Sequence, residues 1–171
     1  MTHNSTPSAI FTGGKFLTFV VDEKIYGLEI LRIREIIRML EITPVPEMPA
    51  YIKGVINLRG KIVPVVDLRL KFSLPPIEIN ERSCTVVVTV NTHSGNSCLM
   101  GLLVDSVEEV LTLAGGDLEA TPDFGLPLAT EYIKGMAKLD SKVMTLLDID
   151  RVVAAGTIQA ASHSPLPAPQ P

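Results

Sequence analysis

The 22 residues from Tyr51 to Phe72 read YIKGVINLRGKIVPVVDLRLKF. Two runs of β-favouring residues, Ile52 to Leu58 and Ile62 to Val66, flank Arg59-Gly60-Lys61. That pattern predicts a hairpin whose turn uses glycine for a positive φ. Asp67 then stands where an N-cap starts a short helix ending at Phe72. The stretch recurs 81 positions later, where Tyr132-Ile133-Lys134-Gly135, Leu139, Lys142 and Asp148 repeat Tyr51-Ile52-Lys53-Gly54, Leu58, Lys61 and Asp67. Seven of 22 positions are identical without a gap and most of the others stay apolar, so one half of the chain reads as a copy of the other.

Upstream of each hairpin the likeness continues. Phe16 to Val21 and Ile25 to Leu31 read as strands around the polar turn Asp22-Glu23-Lys24, with Tyr26, Leu28 and Ile30 alternating with Gly27 and Glu29. Ile30, Ile33, Ile37 and Leu40 have helical spacing instead. The second copy decides between them. Gly101-Leu102, Val104, Val107, Glu109 and Val110 lie 74 positions beyond Gly27-Leu28, Ile30, Ile33, Glu35 and Ile36, in a stretch that reads as strand. The expectation is strand, one tight bend near Leu31 to Ile33, then strand. Thr43 to Pro49 is an extended connector stiffened by three prolines. Cys84 to Val90 and Ser97 to Val104 pair around the polar loop Asn91 to Asn96, and Ala114 to Thr130 is a Gly/Pro-bearing loop.

The fold class is therefore all-β. About five short strands per copy, with almost no long helix, predict a small barrel per copy, whose closure removes edges that so apolar a sheet would expose. Roughly 70 residues is small for an independent core, so the two barrels should share an interface. Whether a closing strand passes from one repeat into the other stays open. The boundaries are a flexible tail at 1–14, repeats at about 15–73 and 83–153, a linker at about 74–82, and an Ala/Pro-rich flexible tail at 154–171.

Composition removes several function classes. Of 171 residues 46% are hydrophobic, yet no apolar run approaches the roughly 18 residues of a membrane span. The N-terminus lacks the basic start and apolar centre of a signal peptide, which leads us to expect a cytoplasmic protein without membrane insertion. Net charge is −4 with scattered basic residues, so no nucleic-acid footprint is present. Cys84 and Cys98 fall in strands with no metal spacing, and buried free thiols are expected. His3, His93 and His163 lie in tails or a loop tip, where no scaffold holds them in a catalytic geometry. Gly115-Gly116-Asp117 lacks the lysine and helix of a phosphate cradle, and capping accounts for Asp67 and Asp148. No enzyme, metal or cofactor is expected.

What a duplicated fold keeps in one copy alone is a candidate for function, with drift as the alternative. Asn57-Leu58-Arg59-Gly60 corresponds to Lys138-Leu139-Asp140-Ser141. Strand alternation would place Val55, Asn57 and Arg59 on one face. Arg59 is then either a solvated turn residue or a planar multidonor head at an apolar rim. Pro64 aligns with Thr145 and, having no N–H, should sit at a sheet edge or bulge. Phe124, within Pro122-Asp123-Phe124-Gly125, either folds back or is presented to a partner. Glu35, among Arg32, Arg34 and Arg38, belongs to a solvated charge cluster or to an ion pair with an arginine beside Ile33.

Taken in order, the motifs resemble the CheW family of bacterial chemotaxis coupling proteins. They are residues 42–46 (ITPVP), 52–60 (IKGVINLRG), 63–69 (VPVVDLR), 101–105 (GLLVD), 107–111 (VEEVL) and 132–135 (YIKG). The likeness runs from about Phe16 to Val153. It implies two packed SH3-like five-stranded β-barrels, no catalysis and no cofactor. It also implies two partners: the cytoplasmic tips of methyl-accepting chemotaxis receptors, and the regulatory domain of the histidine kinase CheA. On this resemblance the receptor tip would lie against the groove between the barrels, with Ile33, Glu35, Asn57 and Arg59 at or supporting it and Val107 on the other barrel nearby. Glu119, Asp123 and Phe124 match a kinase contact. No receiver domain follows, so a stand-alone coupler rather than the CheV type is implied. The Ala/Pro-rich tail is outside the family pattern. Alternatives are an adaptor of a non-flagellar CheW-type pathway, or a ligand-binding barrel, which would need a polar-lined pocket.

Overall fold

Alternating β-branched and polar residues become strands throughout the computed structural model, which describes residues 13–38, 41–92, 94–119 and 131–154. The first copy supplies β1 (Gly13–Val21), β2 (Lys24–Glu29), β3 (Ile33–Ile37), β4 (Ile52–Leu58), β5 (Lys61–Asp67) and the helical turn α1 (Leu68–Lys71). The second supplies β6 (Cys84–Asn91), β7 (Ser97–Val104), β8 (Ser106–Ala114), the two-residue β9 (Leu118–Glu119), β10 (Ile133–Leu139), β11 (Lys142–Leu147) and α2 (Ile149–Ala154). β1 thus begins two residues inside the stretch expected as a tail. The expected bend is a 3₁₀ turn, Ile30–Arg32, after which strand resumes. Asp67 caps α1, its Oδ1 accepting from the amides of Arg69 at 2.9 Å and Leu70 at 3.4 Å. Asp148 accepts from the Arg151 amide at 3.3 Å.

Two sheets result, in the orders β8-β1-β2-β11-β10-β9 and β3-β6-β7-β5-β4. Each curls into a small SH3-like barrel, and β9 adds a short sixth strand to the first. The expectation of one barrel per copy needs correction. In both sheets the opening hairpin of one copy lies between the third strand and the closing hairpin of the other. The copies are joined by antiparallel pairs, β1 with β8 and β3 with β6, and by parallel pairs, β2 with β11 and β5 with β7. Two short crossings make the exchange: the 3₁₀ turn carries the chain from β2 into the second sheet, and Asp105 carries it from β7 back into the first.

Three apolar clusters follow from the two-residue strand period. Val87 points into the second barrel with Ile56, Leu58, Val63, Val65 and Leu103. Phe16, Leu113, Ala137, Met144 and Leu146 fill the first. The largest cluster lies between the barrels, where Val86, Val88 and Val90 meet Leu17, Phe19, Val21, Leu102, Leu147 and Val152. Each such side chain, fully buried, contributes about 1.5–3 kcal/mol, so neither barrel is complete alone.

One residue-level expectation changes and another is sharpened. Cys84 is buried as expected, but Cys98 is exposed near the start of β7. Pro64 belongs to a strand with neighbours on both sides, yet β5 pairs with β7 only from Val65 onward, so its own half of the strand is an open edge. Among the described residues no helix is long and apolar enough to cross a membrane.

Candidate functional site

The site is built on the β4–β5 turn. Leu58 pairs with Lys61, which leaves Arg59-Gly60 as a two-residue turn with φ of +51° and +89°. Strand alternation therefore stops at Leu58, and Arg59 leaves the hairpin at an angle no strand position gives. Asn57 Oδ1 accepts from the Gly60 amide at 2.8 Å and fixes the turn. Across from it, a bulge in β3 between Ile33 and Glu35 adds one residue against β6 and re-aims Glu35.

These two local features meet in a forked ion pair. Arg59 Nη1 donates to Glu35 Oε2 at 3.2 Å, and Nη2 donates to Oε1. The hydrogen bond from Arg59 holds the Glu35 carboxyl below the usual carboxylate range, against slight desolvation, and Arg59 is raised in turn. The Arg59 side chain remains 71% exposed, so the pair contributes little to stability. What it does is hold a planar guanidinium at a fixed orientation on the rim of a groove. That groove, of about 540 Å³, is lined by Ile33, Arg34, Glu35, Leu58, Arg59, Lys61 and Leu99. Apolar floor and charged rim are the composition of a protein-recognition surface.

Of the receptor-side residues anticipated from sequence, Ile33, Glu35 and Arg59 line this groove and Asn57 supports it. All four belong to the second barrel. Val107 lies elsewhere, in a cleft of about 470 Å³ with Ile36, Arg38, Glu81, Arg82, Cys84 and Ser106. This cleft runs between β3 of one barrel and β8 of the other. Ile33 and Val107 do share a floor, because both pack on the inter-barrel core. Glu119 sits exposed on β9, 3.3 Å from Lys138 Nζ. Asp123 and Phe124 lie outside the described residues.

The arginines nearest Glu35 in sequence are not its partner. Arg32 Nε donates to the Thr89 carbonyl at 3.1 Å, and its Nη2 pairs with Asp150. Arg34, Lys61 and Leu99 complete the groove and were not singled out from sequence; Lys61, read there as part of the turn, opens β5 opposite Leu58. Among the described residues no group of three His, Cys, Asp or Glu side chains is placed to hold a metal ion.

Comparison with known proteins identifies the family and the fold. A protein-family model described as a CheW-like domain matches residues 15–156. The chain is 36% identical over 143 residues to a chemotaxis protein CheW of Klebsiella aerogenes, covering 84% of this chain and 83% of that one. It is 30% identical over 149 residues to a chemotaxis protein CheW of Rhizobium meliloti, covering 87% and 93%. Among solved structures it is similar to the crystal structure of the scaffolding protein TtCheW from Thermoanaerobacter tengcongensis. That match has a TM-score of 0.73 at 31% identity and covers 85% of this chain and 96% of that one.

Proposed function

The chain belongs to the family of CheW-like domains, and from that premise we propose that it couples methyl-accepting chemotaxis receptors to the histidine kinase CheA. It is a chemotaxis scaffold and not an enzyme. Its place is the cytoplasmic side of a receptor array, and it acts by binding two partners at once. Holding them together makes their encounter intramolecular, with an effective concentration of order mM for short tethers. To pass on a signal it must also favour one arrangement of its partners, and a coupling of about 1–3 kcal/mol shifts activity five-fold or more.

The observation that carries this reading is the Glu35–Arg59 pair on the charged rim of a groove floored by Ile33, Leu58 and Leu99, on a barrel whose interior is filled. A filled barrel works through its surface, and a pair that adds little stability is there to present its charge. The receptor tip is assigned to this groove and to the separate inter-barrel cleft at Val107. The kinase is assigned to the segment from Glu119 through Asp123 and Phe124.

Arg59→Glu reverses the rim charge beside Glu35 without touching the core. We expect receptor capture in a pull-down to fall at least tenfold, about 1.4 kcal/mol, with an unchanged circular dichroism spectrum and melting temperature. Undiminished capture would remove the groove from the account. Phe124→Ala should weaken titration against the kinase regulatory domain while sparing receptor capture, and an unchanged titration would strike Phe124 from the kinase contact.

A further inference from the structure

The two barrels also differ beside the proposed receptor groove, at a wedge that shares Arg34, Lys61 and Leu99 with it. In the first sheet β11 pairs with β2 through Met144–Ile25, Thr145–Tyr26 and Leu146–Gly27. Offsets of 81 and 74 convert these into Val63–Leu99, Pro64–Met100 and Val65–Gly101 in the second sheet. Only the last of the three forms there. The ladder stops at Pro64, and counting explains why. Leu58 and Lys61 flank the two-residue turn as a hydrogen-bonded pair, so the alternation makes Val55–Pro64 a pair whose backbone groups face away from β4, toward β7. Proline has no N–H to offer on that side.

β5 and β7 therefore splay into a wedge of about 640 Å³. Ser97 to Met100 keep their pairing to β6 and, among the described residues, have no strand on the other edge. The walls include Ile62, 66% exposed, together with Pro64, Cys98 and Leu99. Arg34 and Lys61 also line the wedge, no acidic side chain does, and neither cation forms an ion pair among the described residues.

We propose that this wedge is a docking site for an extended, acidic segment of a partner protein, which adds as a strand to the free edge of β7 with its carboxylates against Arg34 and Lys61. The backbone edge supplies strand hydrogen bonds, the apolar walls take alternate side chains, and the two cations set the charge of the occupant. The competing role for Pro64 and Lys61 is to keep an open edge unpaired.

Exposed Cys98 makes the site readable in the full chain, with buried Cys84 as the internal control. Alkylation of Cys98 is followed with a capped hexapeptide alternating Val and Glu, its Val/Lys counterpart, and a backbone N-methylated Val/Glu version. The Val/Glu peptide should slow alkylation about threefold at mM concentration, and the other two should not, since one reverses the charge and the other removes the strand hydrogen bonds. Pro64→Thr, which restores the residue type of the closed barrel, should slow alkylation without peptide and abolish the peptide effect. No slowing by the Val/Glu peptide, or equal slowing by all three, would overturn the proposal and leave edge protection as the role of Pro64. Alkylation unaltered by Pro64→Thr would overturn the wedge itself. Neither receptor nor kinase enters the experiment, so its outcome is separate from the function proposed above.

Discussion

Arg59 and Asp140 occupy equivalent turn positions with nearly the same left-handed backbone, φ +51° and +52°, and among the described residues only Arg59 finds a partner across the barrel, in Glu35. A second equivalence carries opposite signs. Arg69 and Asp150 are 81 positions apart, and each reaches from a helix to a crossing between the barrels: Arg69 Nη2 to Asp105 at 2.9 Å, Asp150 to Arg32. Burial opposes ionisation of Asp150, but hydrogen bonds from Arg32 and the Asn91 amide outweigh it and lower the carboxyl below its usual value. A lowered folded-state pKa means that the stabilisation is present above the unfolded value, about 3.9, and is lost as pH falls through the folded value. We therefore expect the melting temperature to fall in that acid range, and Asp150→Asn to lower it at pH 7 while flattening its acid slope. An unaltered slope in the variant would show that the acid response comes from other carboxylates. That Arg59 departs from its counterpart was legible in the sequence because the two copies differ there. Its partner was not, because three arginines stand closer to Glu35 in the chain, and only the turn geometry and the β3 bulge select the fourth.

At the scale of elements, the glycines shared by the hairpins do unequal work. Gly54 has φ +147°, and a Cβ there would run into the carbonyl of Thr43, which is tied to Val55 by backbone hydrogen bonds of 2.8 and 2.9 Å. A Cβ on Gly135 would first meet the side chain of Leu118, which can move. Gly54→Ala should cost about 2 kcal/mol or more in urea denaturation, and Gly135→Ala clearly less. Equal losses would mean that the backbone around Thr43 yields as readily as a leucine. The strands, the hairpin turn, both caps and the bend before β3 could be read from periodicity and the second copy. The exchange of hairpins could not, because pairing within a copy or across copies buries the same apolar faces. Only the short crossings at Ile30–Arg32 and Asp105 decide between them. Pro64 signalled an edge correctly, but the edge is half of an interior strand rather than a whole outer one.

For the whole molecule, the inter-barrel cluster is the largest apolar body, and both copies supply it. The barrels should therefore unfold together. Leu102→Ala, at a fully buried position of that cluster, should lower stability by about 2–5 kcal/mol while preserving a single calorimetric transition. Two separated transitions would show that each barrel is its own folding unit. The shared core fixes the proposed receptor face of the second barrel relative to Glu119 on β9, where the proposed kinase contact begins. The most direct measurement is the phosphorylation rate of the kinase reconstituted with receptor and this chain. Activity should depend on receptor only when the chain is present, and Arg59→Glu should abolish that dependence while the kinase still binds. Receptor control of the kinase without the chain, or undiminished control with the variant, would contradict the account.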